Sequence, residues 1–259
     1  MRSPWAERGF TMLIGLIGAG NMARAMAVGW GRPLVVSDPD RGRASALAEA
    51  VGGEAVGSNS DVAEAAEVIV LCHKPAQLAA VASEIHPKAQ VVISILGGVA
   101  IADVRAAYPD AEVYRAMPST PVELRQGVVV LAAADTPGLH RDTVRGLLGE
   151  LGTLIELPEH QVDAAMQLMS CGPAYDSLVA EAQIEAGVRR GLPPDLATEM
   201  VIETMAGTAA LLRERGGDTH AVRAAVTSPG GLTARGLAAL ERGGIRAAFH
   251  DAIDAVLDA

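Results

Sequence analysis

The segment Leu13-Ile14-Gly15-Leu16-Ile17-Gly18-Ala19-Gly20-Asn21-Met22-Ala23 constrains the fold more than any other, because it reads as a buried strand, a glycine turn and the start of a helix. In such a turn the first glycine, Gly18, permits the tight bend, and the second, Gly20, lets backbone approach a pyrophosphate. Small Ala23 allows close helix–strand packing, while Asn21 and Met22 open the helix whose N-terminus faces the phosphates. A lone G-x-G-x-x-A is weak. Here an acidic residue, Asp38, stands twenty positions after Gly18 at the end of the second β-rich run, the spacing of a dinucleotide site.

The rest of the chain divides in two by hydrophobic pattern. Short β-branched runs at 13–17, 34–37, 68–72, 91–95, 113–116, 128–132 and 153–157 alternate with Ala-rich helical stretches at 41–51, 75–85, 101–108 and 138–151. Apolar runs without alternation imply strands covered on both faces, hence a mainly parallel sheet between helices. After Pro158 the β-rich runs stop, and 159–169, 174–190, 194–215, 219–226, 233–242 and 244–257 all read as helix. The expected architecture is an α/β Rossmann-type dinucleotide-binding domain at 12–158, followed by an all-α domain at 159–259. The stretch 194–215 is apolar around much of its circumference, which predicts burial against a second copy of the chain: a homodimer or larger homo-oligomer.

Composition narrows the function classes. A net charge of -10 argues against a nucleic-acid surface, which requires a basic stripe. The two cysteines, Cys72 and Cys171, have neither zinc spacing nor a partner nearby in sequence, and the six histidines show no metal spacing. Free thiols, no metal, no apolar run of membrane-spanning length and no signal-peptide core predict an ordinary cytoplasmic protein. Residues 1–11 read as a disordered lead-in, with Met12 as an alternative start.

Asp38 is expected to accept hydrogen bonds from the adenosine ribose and to repel a 2′-phosphate, favouring NADH. The counter-reading makes it a turn residue, with Arg41 and Arg43 facing a 2′-phosphate. Lys74 and Pro75 follow a strand at the carboxyl edge, where ligands bind in open α/β sheets, and Met117-Pro118 open a proline-stiffened loop near the expected nicotinamide position. In the helical half, Thr227-Ser228-Pro229-Gly230-Gly231-Leu232-Thr233 concentrates N–H donors, two glycines and hydroxyls before a helix, a set suited to a small anion. The same residues also fit a ligand-free turn with Thr233 as helix N-cap.

These segments, with His73-Lys74-Pro75, Met117–Pro121, Gly172-Pro173-Ala174-Tyr175, Gly236-Leu237 and 240–244, resemble Δ1-pyrroline-5-carboxylate reductases over nearly the whole chain from Met12. The resemblance implies a Rossmann domain, a helical dimerisation domain, and NAD(P)H-dependent reduction of a cyclic imine to L-proline. It implies that Ser228, Gly230 and Gly231 hold the substrate carboxylate and that Thr233 bonds the ring nitrogen. Met169, Cys171, Ser119 and Asp176 depart from the family pattern beside the expected substrate site, so a related cyclic imine is an alternative substrate. A β-hydroxyacid dehydrogenase-like activity is a further alternative. The catalytic lysine which that family carries in its second part has no counterpart here, since no lysine follows Lys88.

Overall fold

The computed structural model describes residues 12–85, 88–133 and 138–257; the lead-in expected at 1–11 lies outside them. Eight strands, β1 (Ile14–Ile17), β2 (Val35–Ser37), β3 (Glu54–Ala55), β4 (Val68–Leu71), β5 (Val91–Ser94), β6 (Glu112–Pro118), β7 (Gly127–Ala132) and β8 (Gly152–Leu157), form one sheet. Their order is β3-β2-β1-β4-β5-β6-β7-β8. All pairs are parallel except β6–β7, which is antiparallel (Ala116 opposite Leu131). Strand order reverses between β1 and β4, and at such a switch point the carboxyl ends of two neighbouring strands diverge into a crevice.

Strand side chains alternate between two apolar layers. Ile14, Leu16, Val36 and Ile93 face α1 (Asn21–Trp30), α2 (Arg41–Val51) and α6 (Arg141–Gly149). Leu13, Ile17, Ile69 and Val92 face α3 (Asn59–Ala65), α4 (Leu78–Ile85) and α5 (Ile101–Ala107). Burial of both faces explains why these strands read as continuous apolar runs rather than as alternation. The expected strands all form. The additions are two-residue β3 and α3, whose start was legible in Ser58, since its side chain accepts from the Asp61 amide. The stretch expected as one helix at 75–85 opens with a 3-10 turn, Pro75–Gln77.

The helical part comprises α7 (Glu159–Met169), α8 (Gly172–Arg189), α9 (Pro194–Glu214), α10 (Thr219–Ala225), α11 (Leu232–Arg242) and α12 (Ile245–Leu257). Packing divides the chain at Pro173/Ala174, one helix later than the change of sequence pattern at 158/159. The reason is α7: Val162 is fully buried against Met117, Val130 and Ala132 of the sheet. In 174–259, by contrast, the buried hydrophobic side chains among the described residues are only Ala180 and Ala197. No described helix is long and apolar enough to cross a membrane.

Candidate functional site

The glycine turn has the geometry that a phosphate cradle needs. Gly18 lies in the left-handed region at φ 104°, and a Cβ there would stand 2.8 Å from the Cys72 carbonyl oxygen, so only glycine fits. The Gly18 amide donates to the Ser37 carbonyl (2.8 Å), pinning the turn to β2. Gly20 is the N-cap of α1, offers no capping side chain, and has open space where its Cβ would be. The first amides of α1 are therefore left without a side-chain acceptor beneath an open surface, and the helix dipole favours an anion there. Asn21 is exposed, Met22 half-buried and Ala23 buried, the last packing α1 closely on the sheet.

Asp38 sits directly beside this turn. Its Oδ2 accepts from the Ala19 amide (2.7 Å) and its Oδ1 from the Asp40 amide (2.8 Å). The carboxylate is thus a turn lock that places a negative charge beside the glycine turn. Arg43 pairs with Asp40 and lies next to it in space, at a nitrogen–oxygen distance of 3.4 Å. Asp38 is thus a turn residue, as the counter-reading has it, and the Arg43–Asp40 pair is solvent-exposed.

Across the crevice, Cys72, His73, Lys74 and Pro75 follow β4. Burial pushes the Cys72 thiol up to about 12, so no thiolate is available for chemistry. Burial also lowers the His73 imidazole, an effect partly offset by its bond to the Lys74 carbonyl. That carbonyl can only accept, so Nδ1 carries the proton. Lys74 and Pro75 are exposed; the Lys74 amide donates to Gln77 Oε1 (3.0 Å) and starts the 3-10 turn. Farther along, Met117 and Pro118 end β6. The Met117 side chain is in the core against α7, so any cofactor it meets is reached through its backbone. Ser119 is 3% exposed, and its Oγ accepts from the Val128 amide (2.9 Å), so this departure from the family pattern serves the β6–β7 junction.

The glycine loop of the helical unit is a tight turn: the Gly231 amide donates to the Ser228 carbonyl (3.0 Å), and Gly230 sits at φ 70°. The N-cap of α11 is Gly231, not Thr233. The ligand-free reading with Thr233 as N-cap is therefore corrected. Thr233 is the second residue of the helix, where its hydroxyl is not needed for capping. With a glycine N-cap, the first amides of α11 lack a side-chain acceptor, and Ser228, Gly230 and Thr233 are exposed on this unit. Ser228, Gly230, Gly231 and Thr233 thus cluster in one turn, as the spacing predicts.

Two other features bound the site. Among the described residues no group of three or more His, Cys, Asp or Glu side chains could hold a metal. A cavity beside Arg105, Tyr108 and Tyr114 lies at the amino end of β6, away from the switch point, and the Glu112 carboxylate near it is occupied by Tyr114 and His140. One buried group escaped the sequence reading: Arg115 in β6, 1% exposed, ion-paired with Glu159 and Asp163 of α7. Its signal was available, a lone arginine inside the apolar run 113–116, which must find acidic partners once buried.

The comparisons with known proteins agree with this geometry. Residues 13–98 match the family described as NADP oxidoreductase, coenzyme F420-dependent, and residues 159–259 match pyrroline-5-carboxylate reductase dimerisation. A pyrroline-5-carboxylate reductase of Synechocystis is 32% identical over 254 residues, covering 93% of this chain and 94% of that protein. The pyrroline-5-carboxylate reductase of Streptococcus pyogenes superposes with a TM-score of 0.87 at 29% identity, covering 95% of this chain and 97% of that one. The Plasmodium falciparum pyrroline carboxylate reductase, solved with NADP bound, gives 0.86 at 25% identity, covering 96% of each chain. The strand order, the switch-point turn and the helical glycine loop thus occur together in a chain that belongs to the pyrroline-5-carboxylate reductase family.

Proposed function

We propose that this protein reduces Δ1-pyrroline-5-carboxylate to L-proline with a nicotinamide dinucleotide, acting as a homodimer or larger homo-oligomer in the cytoplasm. The single observation that carries the reading is the presence of two uncapped, glycine-started helices, α1 and α11. The first lies at the switch point of a dinucleotide-type sheet and the second opens the helical unit's anion turn. Gly18, Gly20, Asn21 and Met22 hold the pyrophosphate, with Lys74, Pro75, Met117 and Pro118 lining the nicotinamide side. The bound dinucleotide supplies the hydride.

The protein's own part is binding, alignment and exclusion of water. The amides of Ser228–Gly231 and the α11 terminus hold the carboxylate, and the Thr233 hydroxyl bonds the ring nitrogen. An already protonated imine is electrophilic at carbon and needs no strong base, which agrees with a crevice in which burial disfavours the charged forms of both thiol and imidazole. A carboxylate beside the glycine turn, that of Asp38, supports a preference for NADH, because its charge would repel a 2′-phosphate bound there. Oligomerisation is supported by the apolar exposure of α8 and α9, and a cytoplasmic setting by the free cysteines.

The test compares imines in NADH-consumption assays. Pyrroline-5-carboxylate should be reduced at least tenfold more efficiently than 1-pyrroline, which leaves the anion turn empty. Thr233→Ala should lower turnover roughly ten- to a hundredfold, one polar contact that strengthens in the transition state being worth about 1.5–3 kcal/mol. NADH affinity should be unchanged. Equal rates for the two imines, or full activity in the variant, would assign another substrate to the turn.

A further inference from the structure

The Arg115 guanidinium is 1% exposed and donates from Nη1 to Glu159 Oε1 at 2.8 Å, with Nη2 directed to Asp163 Oδ1. The same Glu159 oxygen accepts from the amide of Ile101 at 2.9 Å. Ile101 is the first residue of α5, whose N-cap, Ala100, has no capping side chain, so a glutamate from α7 caps it instead. One carboxylate therefore joins β6, α7 and the loop 95–100 that connects β5 to α5. Arg115 is also in register with Ser94, the last residue of β5, immediately before that loop.

The other end of α7 is fastened as well. Ser170 Oγ donates to the Pro118 carbonyl at 3.1 Å, and a Cβ on Gly97 would lie 3.6 Å from Met166 Sδ. Helix α7 is thus a strut along the last residues of β6, touching both loops that leave the carboxyl edge on the β5–β6 side. In the proposed function Asp38 marks the β2 side as the adenosine side, so the nicotinamide half extends toward these two loops.

Stability alone is a poor account of the arrangement. Among the described residues, Arg115 Nε and Glu159 Oε2 are buried without a hydrogen-bond partner. Only Arg115 is buried; the Glu159 and Asp163 side chains are 33% and 51% exposed, and ion pairs with solvent-exposed members contribute little to stability. What the cluster supplies is a fixed geometry.

We propose that the Arg115–Glu159–Asp163 cluster is a positioning device for imine reduction. By holding the 95–100 loop and the Met117–Ser119 segment in register through α7, it sets the position of the hydride-donating ring. The inference rests on the reductase reading given above.

The test uses the full-length assembled protein and the variants Glu159→Ala, Glu159→Gln and Asp163→Ala. It measures melting temperature, NADH dissociation constant, kcat, and the isotope effect with NADH deuterated at the transferred position. In Glu159→Ala, kcat should fall roughly ten- to a hundredfold, the loss expected for a displacement of about 1 Å at the reacting atoms. The isotope effect should rise, while the NADH constant stays within about twofold because the pyrophosphate turn and Asp38 are untouched. Glu159→Gln, whose carboxamide oxygen still accepts from Ile101 and Arg115, should recover most of the turnover. If Glu159→Ala does not fold, Asp163→Ala, whose side chain is half-exposed, should show a smaller fall in kcat with the same rise in isotope effect. A lowered melting temperature with unchanged kcat and isotope effect would overturn the proposal. An unmodified protein that reduces no pyrroline carboxylate would instead remove the reductase reading itself.

Discussion

The two units of this chain solve the burial problem in opposite ways. Residues 12–173 enclose their own core: strands β1, β4 and β5 are buried throughout, with helices on both faces. Residues 174–257 form helices around almost nothing of their own. Leu178 is 64% exposed, Met200 50% and Ile202 48%, although each is the kind of side chain whose burial contributes about 1.5–3 kcal/mol. The first unit is specified by its own sequence. The second is specified only together with what covers it, and a second copy of the chain is the occupant that the dimerisation-family match supports.

The largest expected effect tests that contrast directly. Met200→Glu places a charge on the exposed apolar stripe of α9, and leaving such a charge unpaired in an interface costs several kcal/mol. Light scattering should report a drop in molecular mass to the monomer, with activity reduced more than tenfold. An unchanged mass would show that the stripe faces solvent and that the contrast between the units is false.

A change in the self-contained unit should behave differently. Gly18→Val forces a left-handed residue against the Cys72 carbonyl, a strain of order 1–3 kcal/mol before any repacking. NADH affinity should weaken at least tenfold and the melting temperature should fall, while the assembled mass stays the same. Dissociation of the assembly in this variant would couple the two units more tightly than their separate cores suggest.

The smallest expected effect refines the cofactor site. Asp38→Ser removes the charge beside the glycine turn, where the proposed function puts the adenosine ribose, and should shift the NADPH-to-NADH preference by roughly three- to tenfold toward NADPH, since relieving a like-charge contact is worth about 1 kcal/mol. Because Asp38 also holds the Ala19 amide, affinity for both cofactors should fall slightly. An unmodified protein already selective for NADPH would reverse the reading of this carboxylate.

Much of the fold was legible because its signals are local. Seven strands announced themselves as short β-branched runs, and Gly18, Gly20 and Asp38 carried the turn chemistry at readable spacing. The Ser228–Thr233 turn was legible for the same reason, although the helix start within it was misplaced by one residue. Two-residue β3 was not found, because so short a segment shows no period, and seven-residue α3 was passed over although Ser58 marks its start.

By itself, then, the sequence determined most of the strands and helices, where the chain changes character, and which glycines and hydroxyls form the two glycine turns. Those properties depend on steric and hydrogen-bonding preferences within a few neighbouring residues. Tertiary structure alone decided the rest. It reversed β7 against β6, assigned α7 to the sheet unit through Val162, and gave the Asp38 oxygens to the amides of Ala19 and Asp40. It also joined Arg115 to Glu159 and Asp163, more than forty residues away. These pairings link residues distant in sequence, and a buried charge finds its partner only when packing brings it there.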